Sequence, residues 1–331
     1  MFTAIVFLIA GVVLLPVASN TLVSGAVALS ERLGVSPLLV ALTVVAFGTS
    51  LPELVVCLEA ALSGSPGIAV GNVVGSNIAN VLLILGAAAV LKPIACEPRA
   101  FLRDSLIMVV TTALFIGLAL GGVIPRWQGL TMLGLLLLFV VYSYWRESRG
   151  ADAAEAHLAE VEEFEGLKDR PWAVIIGAIV LGLIGVVAGA HLLVEGAVVI
   201  ARALGVSEEV IGLTMVALGT SLPELAVAVV AALKGHSDVA VGNVVGSNIF
   251  NILAIVGATA AVIPIEIPPQ ILRFDIWAMA AVSVLMIPVL LSGRRMGRGE
   301  AAGFLVLYAG YTTLQYVGVD RVFGPVAAMA G

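Results

Sequence analysis

The chain has 331 residues, of which 61% are hydrophobic and 11% charged, and its mean hydropathy is +1.14. Soluble domains carry about 25% charged residues, so this composition excludes an ordinary soluble protein and indicates an integral membrane protein in contact with lipid. The formal net charge is −6, and the sequence contains no basic cluster with interleaved aromatic residues, so nucleic acid is excluded as a partner.

Long apolar segments recur through the chain. A hydrocarbon core of roughly 30 Å needs about 20 residues of helix, and about ten segments meet that length. We therefore predict an all-α fold with ten transmembrane helices. The segments are 3–29, 36–62, 68–91, 105–121, 130–145, 172–200, 210–233, 239–263, 274–291 and 303–319. The second, third, seventh and eighth contain Gly, Ser, Thr, Asn or Pro, which predicts broken helices in those four spans.

The sequence contains an internal repeat. Residues 22–86 align with residues 193–257 without a gap, and about 30 of about 51 positions are identical from residues 36 and 207 onward, which indicates duplication. GTSLPEL occurs at 48–54 and 219–225, and GNVVGSNI at 71–78 and 242–249. The repeated motifs occupy 36–86 and 207–257, within predicted five-helix halves at 1–146 and 172–331.

Five spans separate equivalent points of the two copies. Because five is odd, the second copy must enter the membrane from the opposite side, so the repeats are predicted to be inverted, with their broken helices meeting at the midplane. Basic residues concentrate in alternate connections, which predicts that those connections are cytoplasmic and that both termini lie outside. The segment 147–171 between the halves is acidic and lacks the spacing of a calcium-binding loop, so we interpret it as a solvated cytoplasmic linker.

Each repeat places one carboxylate in a membrane span. Such a group costs roughly 2.5–3.5 kcal/mol near the bilayer centre, so Glu53 and Glu224 are predicted to be functional rather than merely hydrogen-bonded. Pro52 and Pro223 lack a backbone donor and are expected to interrupt the helix and to release carbonyl oxygens. Further oxygen atoms come from side chains in the same motifs: Thr49, Ser50, Thr220, Ser221, Ser76, Ser247, Asn80 and Asn251.

This set of candidate ligands contains oxygen and neither sulfur nor imidazole nitrogen. Hard cations such as Ca²⁺ take about six to eight oxygen ligands, and two carboxylates balance one divalent charge. The same oxygens can also serve Na⁺ when Ca²⁺ is absent. Competition at one site would then couple the movements of the two ions.

At these residues the chain resembles the sodium/calcium exchangers of the cation/Ca²⁺ antiporter superfamily, particularly their compact prokaryotic members. The resemblance rests on the paired GTSLPEL and GN-x-x-GSN-I-x-N motifs and covers the whole ten-span layout. It implies that Glu53 and Glu224 bind Ca²⁺ with the backbone oxygens of Thr49 and Thr220. It also implies a Na⁺ site formed by those Glu residues, other hydroxyls and two carbonyls: Ser50, Ser76, Ser221, Ser247, Ala46 and Ala217.

Two positions depart from the pattern of some relatives. Asn251 stands where some prokaryotic relatives and the potassium-dependent exchangers have Asp, which argues against a K⁺ requirement. Leu54 and Leu225 follow the two Glu residues, whereas proton-coupled relatives typically have His there. Sodium coupling is therefore favoured over proton coupling.

His191 and Glu195 lie four residues apart, on one face of the sixth predicted span. The matching positions of the first repeat are Asn20 and Ser24, so the pair is not duplicated. We favour a structural or gating hydrogen bond over a proton relay.

The sequence thus predicts a multi-pass protein of the cytoplasmic membrane that exchanges Ca²⁺ for Na⁺ by alternating access. The resemblance implies that the first and sixth spans slide past the other eight. No organic cofactor, covalent chemistry or obligatory protein partner is expected. A Ca²⁺/H⁺ antiporter using the same two Glu residues remains the nearest alternative, and a cation channel is a more distant one. A membrane-embedded hydrolase is disfavoured because the sequence has no motif for it.

Overall fold

The computed structural model describes residues 1–95, 97–147, 167, 170–204, 219–291 and 295–323. The chain is mostly helical. Among these residues, seven helices are long and apolar enough to cross a membrane. The bent pair Pro37–Thr49 and Leu51–Leu62 raises that number to eight if it forms one span.

The first half of the chain runs from α1 to α8. Two turns of π-helix, Ala41–Val45 and Asn80–Leu85, interrupt its α-helices. The elements are α1 (Phe2–Leu33), α2 (Pro37–Val40), α3 (Ala46–Thr49), α4 (Leu51–Leu62), α5 (Pro66–Ala79), α6 (Gly86–Leu91), β1 (Ile94–Ala95), α7 (Pro98–Ala119), β2 (Val123–Ile124) and α8 (Arg126–Glu147).

The second half is described from α9 onward. Its π-helical turns are Asn251–Val256 and Ile271–Asp275. The elements are α9 (Trp172–Ala203), α10 (Leu222–Lys234), α11 (Ser237–Phe250), α12 (Gly257–Val262), β3 (Ile265–Glu266), α13 (Ile276–Leu291), β4 (Arg295–Met296), α14 (Arg298–Val317) and α15 (Val319–Phe323).

Local sequence explains where several helices begin and end. The Ser36 hydroxyl accepts a hydrogen bond from the Leu39 amide, and Pro37 occupies the first turn of α2, where its missing N–H is not needed. The Glu97 carboxylate caps the start of α7 in the same way. At the other end, α1 stops at Gly34, whose φ of 65° is a left-handed conformation that favours glycine.

The described parts of the two repeats share two backbone features. A π-helical turn begins at Asn80 in the first repeat and at the equivalent Asn251 in the second. The serine before Leu-Pro-Glu also has the same backbone conformation in both repeats: φ is −86° and ψ 5° at Ser50, and φ is −91° and ψ 3° at Ser221. Identical motifs therefore produce the same backbone irregularities, which are common near functional sites.

The chain separates into two compact units, each assembled from both halves of the sequence. The first unit comprises residues 1–53 and 136–247. Small residues let α1 and α9 approach closely in it: a Cβ added at Gly182 would lie 2.7 Å from the backbone nitrogen of Leu22. Helix pairs in lipid gain their stability largely from such close contact.

The second unit comprises residues 54–135 and 248–331. Two short antiparallel ladders join its halves reciprocally: β1 pairs with β4, and β2 pairs with β3. These two-residue strands depart from the predicted all-α fold, because a pair of extended residues leaves no periodic sequence pattern. The Arg298 guanidinium, at the start of α14, also links the two halves by donating a 3.1 Å hydrogen bond to the backbone oxygen of Val90 in α6.

The predicted number of ten spans exceeds the seven or eight that the described residues supply. Residues 210–218 of the predicted seventh span, 210–233, lie outside the described residues. The tenth corresponds to α14, which is a 20-residue helix but begins with Arg298 and Glu300 and is less apolar than the seven. The count of ten remains a prediction, as do the half boundaries 1–146 and 172–331.

Candidate cation site

The predicted helix interruption occurs at the first GTSLPEL motif. Helix α3 ends at Thr49, α4 begins at Leu51, and the two segments that meet there are bent by 42°. Pro52 cannot donate to the carbonyl of Gly48, four residues earlier, which explains why the helix breaks there. In the second motif, Pro223 occupies the same place in the first turn of α10.

Each break places a glutamate in the first turn of the helix that follows it. Glu53 lies in α4 and Glu224 in α10, and both side chains are 1% exposed. The N-terminal end of a helix carries partial positive charge, so this position favours a carboxylate. Two charged carboxylates held in one buried cluster repel each other, and a cation bound near them relieves that repulsion.

Hydroxyl groups connect the two motifs crosswise. The Ser50 hydroxyl donates to Oε1 of Glu224 over 3.0 Å, and the Ser221 hydroxyl donates to Oε1 of Glu53 over 3.5 Å. Each glutamate is therefore oriented by the serine of the other repeat. All four residues are at most 4% exposed, so water does not compete freely for these bonds.

The second oxygen of each carboxylate is unpartnered. Oε2 of Glu53 and Oε2 of Glu224 are buried and have no hydrogen-bond partner among the described residues. A buried carboxylate oxygen without a donor is unfavourable, and such atoms in a native protein call for an explanation. Two of them, at equivalent positions of two repeats, fit direct ligands for a cation.

Asn243 completes the hydrogen bonding around this cluster. Its side-chain amide donates to the backbone oxygen of Glu224 over 3.3 Å, and its Oδ1 accepts from the Thr49 hydroxyl over 3.3 Å. Thr49 also contacts the backbone oxygen of Ala46. Thr220 faces the Glu53 carboxylate. The structure thus places Thr49, Ser50, Thr220 and Ser221 with the two glutamates in the first unit.

The remaining predicted ligands lie on the helices that carry GNVVGSNI. Ser247 belongs to the first unit, is fully buried, and its hydroxyl has no partner among the described residues. Ser76, Asn80 and Asn251 belong to the second unit and are also buried. Oδ1 of Asn80 and Oδ1 of Asn251 are likewise unpartnered within the part of the chain that the structure describes. Assignment of Ser76, Asn80 and Asn251 as ligands remains a prediction.

Four further asparagines of these motifs are not among the predicted ligands, and three of them are buried: Asn77, Asn243 and Asn248. All three are at most 2% exposed and form hydrogen bonds within their unit. The sequence does mark these three residues, because each belongs to the octapeptide that both repeats share unchanged. Ala217 and residues 148–166 of the predicted linker lie outside the described residues.

The His191 and Glu195 side chains approach to 3.5 Å on α9, as their spacing predicts. Their side chains are 76% and 50% exposed, in contrast to the buried glutamates of the breaks. The pair is therefore separate in character from the cluster around Glu53 and Glu224.

The chemistry of the cluster is that of an oxygen site. Among the residues described in the structure, no group of three or more His, Cys, Asp or Glu side chains is positioned to hold a metal. Two carboxylates supplemented by hydroxyls and carbonyls suit hard cations such as Ca²⁺ and Na⁺ better than Zn²⁺, which favours nitrogen and sulfur. A multi-pass helical protein with two buried carboxylates at helix breaks belongs to the class of membrane cation transporters.

Comparison with known proteins gives the family. The family model described as sodium/calcium exchanger protein matches residues 3–145 and 174–317, so the chain belongs to the sodium/calcium exchanger family. CaxA of Alkalimonas amylolytica is 38% identical over 320 residues, which cover 96% of this chain and 99% of the relative. The inner membrane protein YrbG of Escherichia coli is 36% identical, with 93% of this chain and 97% of the relative covered.

The sodium/calcium exchanger MaX1 of Methanosarcina acetivorans is 33% identical, with 93% of this chain and 97% of the relative covered. A solved structure of the sodium-calcium exchanger NCX_Mj, soaked with 2.5 mM Na⁺ and 1 mM Sr²⁺, superposes with a TM-score of 0.81. That match has 29% sequence identity and covers 95% of this chain and 98% of the other. The resemblance that the motifs indicated is therefore confirmed.

Proposed function

We propose that this protein is a secondary antiporter that exchanges Ca²⁺ for Na⁺ across the cytoplasmic membrane by alternating access. Its cargo is bound by Glu53 and Glu224 with oxygen atoms of the residues around them. Family membership supports cation/Ca²⁺ exchange, and the relatives named as sodium/calcium exchangers support Na⁺ as the coupling ion. The cytoplasmic membrane is supported by the similarity to an inner membrane protein.

The observation that carries the proposal is the pair of free carboxylate oxygens. Oε2 of Glu53 and Oε2 of Glu224 are buried without a donor among the described residues, while Oε1 of each accepts from a serine of the other repeat. Bound Ca²⁺ would supply the missing positive charge for both carboxylates. Na⁺ carries half that charge, so one Na⁺ would balance only one of the two carboxylates.

Competition between the two ions provides the coupling. A site that binds either ion, and opens to one side at a time, links the downhill entry of Na⁺ to the uphill exit of Ca²⁺. Within this account the oxygen ligands include the hydroxyls, amides and carbonyls predicted from the sequence. They are Thr49, Thr220, Ser50, Ser221, Ser76, Ser247, Asn80, Asn251, Ala46 and Ala217.

The proposed architecture is ten spans in two inverted five-helix halves, 1–146 and 172–331, joined by the acidic linker 147–171, with both termini outside. The repeated backbone breaks at Ser50 and Ser221 and the reciprocal strand pairing support a two-fold relationship. We assign the sliding movement to α1 and α9. Both helices are long and rich in Gly, Ala and Val, with few polar side chains to hold them against the other spans.

The test is transport by the purified full-length chain in proteoliposomes. Vesicles loaded with Na⁺ are diluted into Na⁺-free buffer containing radioactive Ca²⁺, in parallel with vesicles that carry only a proton gradient. Uptake driven by the Na⁺ gradient alone is expected. Uptake driven only by the proton gradient would identify H⁺ instead of Na⁺ as the coupling ion. Passive Ca²⁺ entry down its own gradient, without a Na⁺ or proton gradient, would indicate a channel.

A further inference from the structure

Four asparagines form a buried cluster in the second unit. Asn77 and Asn248 lie near the ends of α5 and α11, and Asn80 and Asn251 begin the π-helical turns that follow. All four are at most 2% exposed. Each pair comes from equivalent positions of the two repeats, so the cluster has the same composition on both sides.

Two contacts fix the orientation of the inner pair. Nδ2 of Asn77 donates to the backbone oxygen of Asn248 over 3.3 Å, and Nδ2 of Asn248 donates to the backbone oxygen of Asn77 over 3.4 Å. A backbone carbonyl only accepts hydrogen bonds, so each side-chain amide must turn its NH₂ group toward it. Oδ1 of Asn77 and Oδ1 of Asn248 therefore point away from those carbonyls.

The inner pair in turn orients the outer pair. Oδ1 of Asn248 accepts from Nδ2 of Asn80, and Oδ1 of Asn77 accepts from Nδ2 of Asn251, both over 2.9 Å. If Asn80 rotated its amide by 180°, two oxygen acceptors would face each other at that distance. The same holds for Asn251, so the backbone fixes the amide orientation of both outer residues through one intermediate side chain.

This arrangement leaves the side-chain oxygens of the outer pair without a hydrogen-bond donor among the described residues. Every side-chain oxygen and nitrogen of Asn77 and Asn248 has a hydrogen-bond partner. In the outer pair, Oδ1 of Asn80 and Oδ1 of Asn251 have none among the described residues. A cluster that served packing alone would gain by pairing these buried acceptors, whereas the observed bonds keep them unpaired.

We propose that Asn77 and Asn248 are positioning residues that hold the amides of Asn251 and Asn80 with their carbonyl oxygens, and not their NH₂ groups, available to the transported cation. The inference rests on the proposed function, since it takes the cargo to be a hard cation. An NH₂ group in the same place would repel a cation. The two inner asparagines thus act on ion affinity without contacting the ion.

The experiment is a pair of double-mutant cycles on Ca²⁺ binding by the full-length protein. Equilibrium ⁴⁵Ca²⁺ binding is measured for Asn248→Ala, Asn80→Ala, Asn251→Ala and the doubles Asn80→Ala/Asn248→Ala and Asn251→Ala/Asn248→Ala. The same set is made with Asn77→Ala in place of Asn248→Ala. The melting temperature without Ca²⁺ is recorded for each variant. Asn72→Ala is the matched control, because Asn72 belongs to the same motif but bonds to Cys57.

We expect Asn248→Ala to raise the Kd for Ca²⁺ by about tenfold in the otherwise wild-type protein. In a protein that already carries Asn80→Ala, the same substitution should raise the Kd little further, because the effects of coupled residues are not additive. In the Asn251→Ala background, Asn248→Ala should keep its full effect. The mirror cycle, Asn77→Ala with Asn251→Ala, should behave alike, and Asn72→Ala should leave the Kd unchanged. If Ala prevents folding at an inner position, Ser is used there with the same expectation.

Two results would overturn the inference. One is a Kd unchanged by Asn248→Ala and Asn77→Ala. The other is that the effect of the inner substitution on the Kd is the same in both outer backgrounds and that the changes in Kd parallel the changes in melting temperature. That result would mark the inner pair as structural only. Failure of the wild-type protein to bind Ca²⁺ at all would instead refute the proposed function, so the two failures are distinguishable.

Discussion

The Ser50 hydroxyl donates a 3.0 Å hydrogen bond to Oε1 of Glu224, a residue 174 positions later in the chain. The equivalent contact of the other repeat runs from Ser221 to Glu53. Each carboxylate is thus oriented by the repeat that does not contain it. Because both glutamates depend on both motifs, a change in one motif is expected to affect the ligands contributed by the other.

Neutralising either glutamate should abolish Ca²⁺ exchange. Glu53→Gln or Glu224→Gln removes one of the two negative charges while conserving shape, and we expect the affinity for Ca²⁺ to fall by at least about 100-fold, or ~2.7 kcal/mol. The measurement is Na⁺-dependent ⁴⁵Ca²⁺ uptake in proteoliposomes. Glu59→Gln, an exposed position on the same helix, is the control and should transport normally. Near-normal exchange in either buried variant would rule out a two-glutamate site.

Removing a cross-repeat hydroxyl should weaken ion binding without abolishing transport. A hydrogen bond to a charged group contributes about 1.5–3 kcal/mol, so Ser50→Ala or Ser221→Ala should raise the Km for Ca²⁺ by about tenfold or more. The maximal rate should change less. Ser63→Ala, at an exposed site just after α4, provides the comparison. An unchanged Km in both buried variants would show that the hydroxyls do not orient the carboxylates.

The two motif glycines Gly75 and Gly246 are equivalent in sequence but differ in packing. A Cβ at Gly246 would lie 2.4 Å from the backbone oxygen of Leu42, whereas no heavy atom of the described residues lies within 4 Å of one at Gly75. Gly246→Ala should therefore destabilise the protein by about 1–3 kcal/mol through overpacking. Gly75→Ala should be neutral or slightly stabilising, since Ala favours helix over Gly by about 1 kcal/mol. Thermal unfolding of the two variants gives the comparison, and equal melting temperatures would contradict the close packing of Gly246 against Leu42.

External K⁺ should not be required for exchange. Asn251 carries no charge, is 1% exposed, and its Nδ2 is engaged by Asn77, so this position offers one neutral oxygen and no additional carboxylate for a third ion. Ca²⁺ uptake is measured with external K⁺ and with choline in its place, and equal rates are expected. The variant Asn251→Asp tests the same position. Strict dependence of the wild-type flux on K⁺ would contradict this interpretation.

Much of the fold could be read from the sequence because membrane helices have a strong signal. The apolar segments, the duplication and the interruption at Pro52 were all visible as composition, identity or a missing donor. The strands β1 to β4 were not, since two residues are too few to show a period. The breaks predicted in the third and eighth spans are absent from the helices at Pro66–Leu91 and Ser237–Val262, which continue through π-helical turns at Asn80 and Asn251. The backbone geometry of such a turn depends on the packing around it and not on a residue pattern.

The candidate site was predicted less completely. Duplication of GTSLPEL drew attention to Glu53 and Glu224, and burial of both side chains agrees with that choice. The crosswise serine contacts were not predicted, because sequence spacing within one motif carries no information on which partner a hydroxyl reaches. Asn77 and Asn248 were missed for a related reason: their amides act on neighbouring amides, and only three-dimensional geometry distinguishes them from ordinary core residues.

On the proposed mechanism, Ca²⁺ and Na⁺ compete for the oxygen atoms of Glu53 and Glu224. The decisive experiment is equilibrium binding of ⁴⁵Ca²⁺ to the purified protein over a range of Na⁺ concentrations, repeated with Glu53→Gln. We predict that Na⁺ raises the apparent Kd for Ca²⁺ without reducing the number of sites, and that Glu53→Gln lowers the affinity for Ca²⁺ by at least about 100-fold. Ca²⁺ binding that Na⁺ leaves unaffected, or that keeps its wild-type affinity in Glu53→Gln, would rule out this competition.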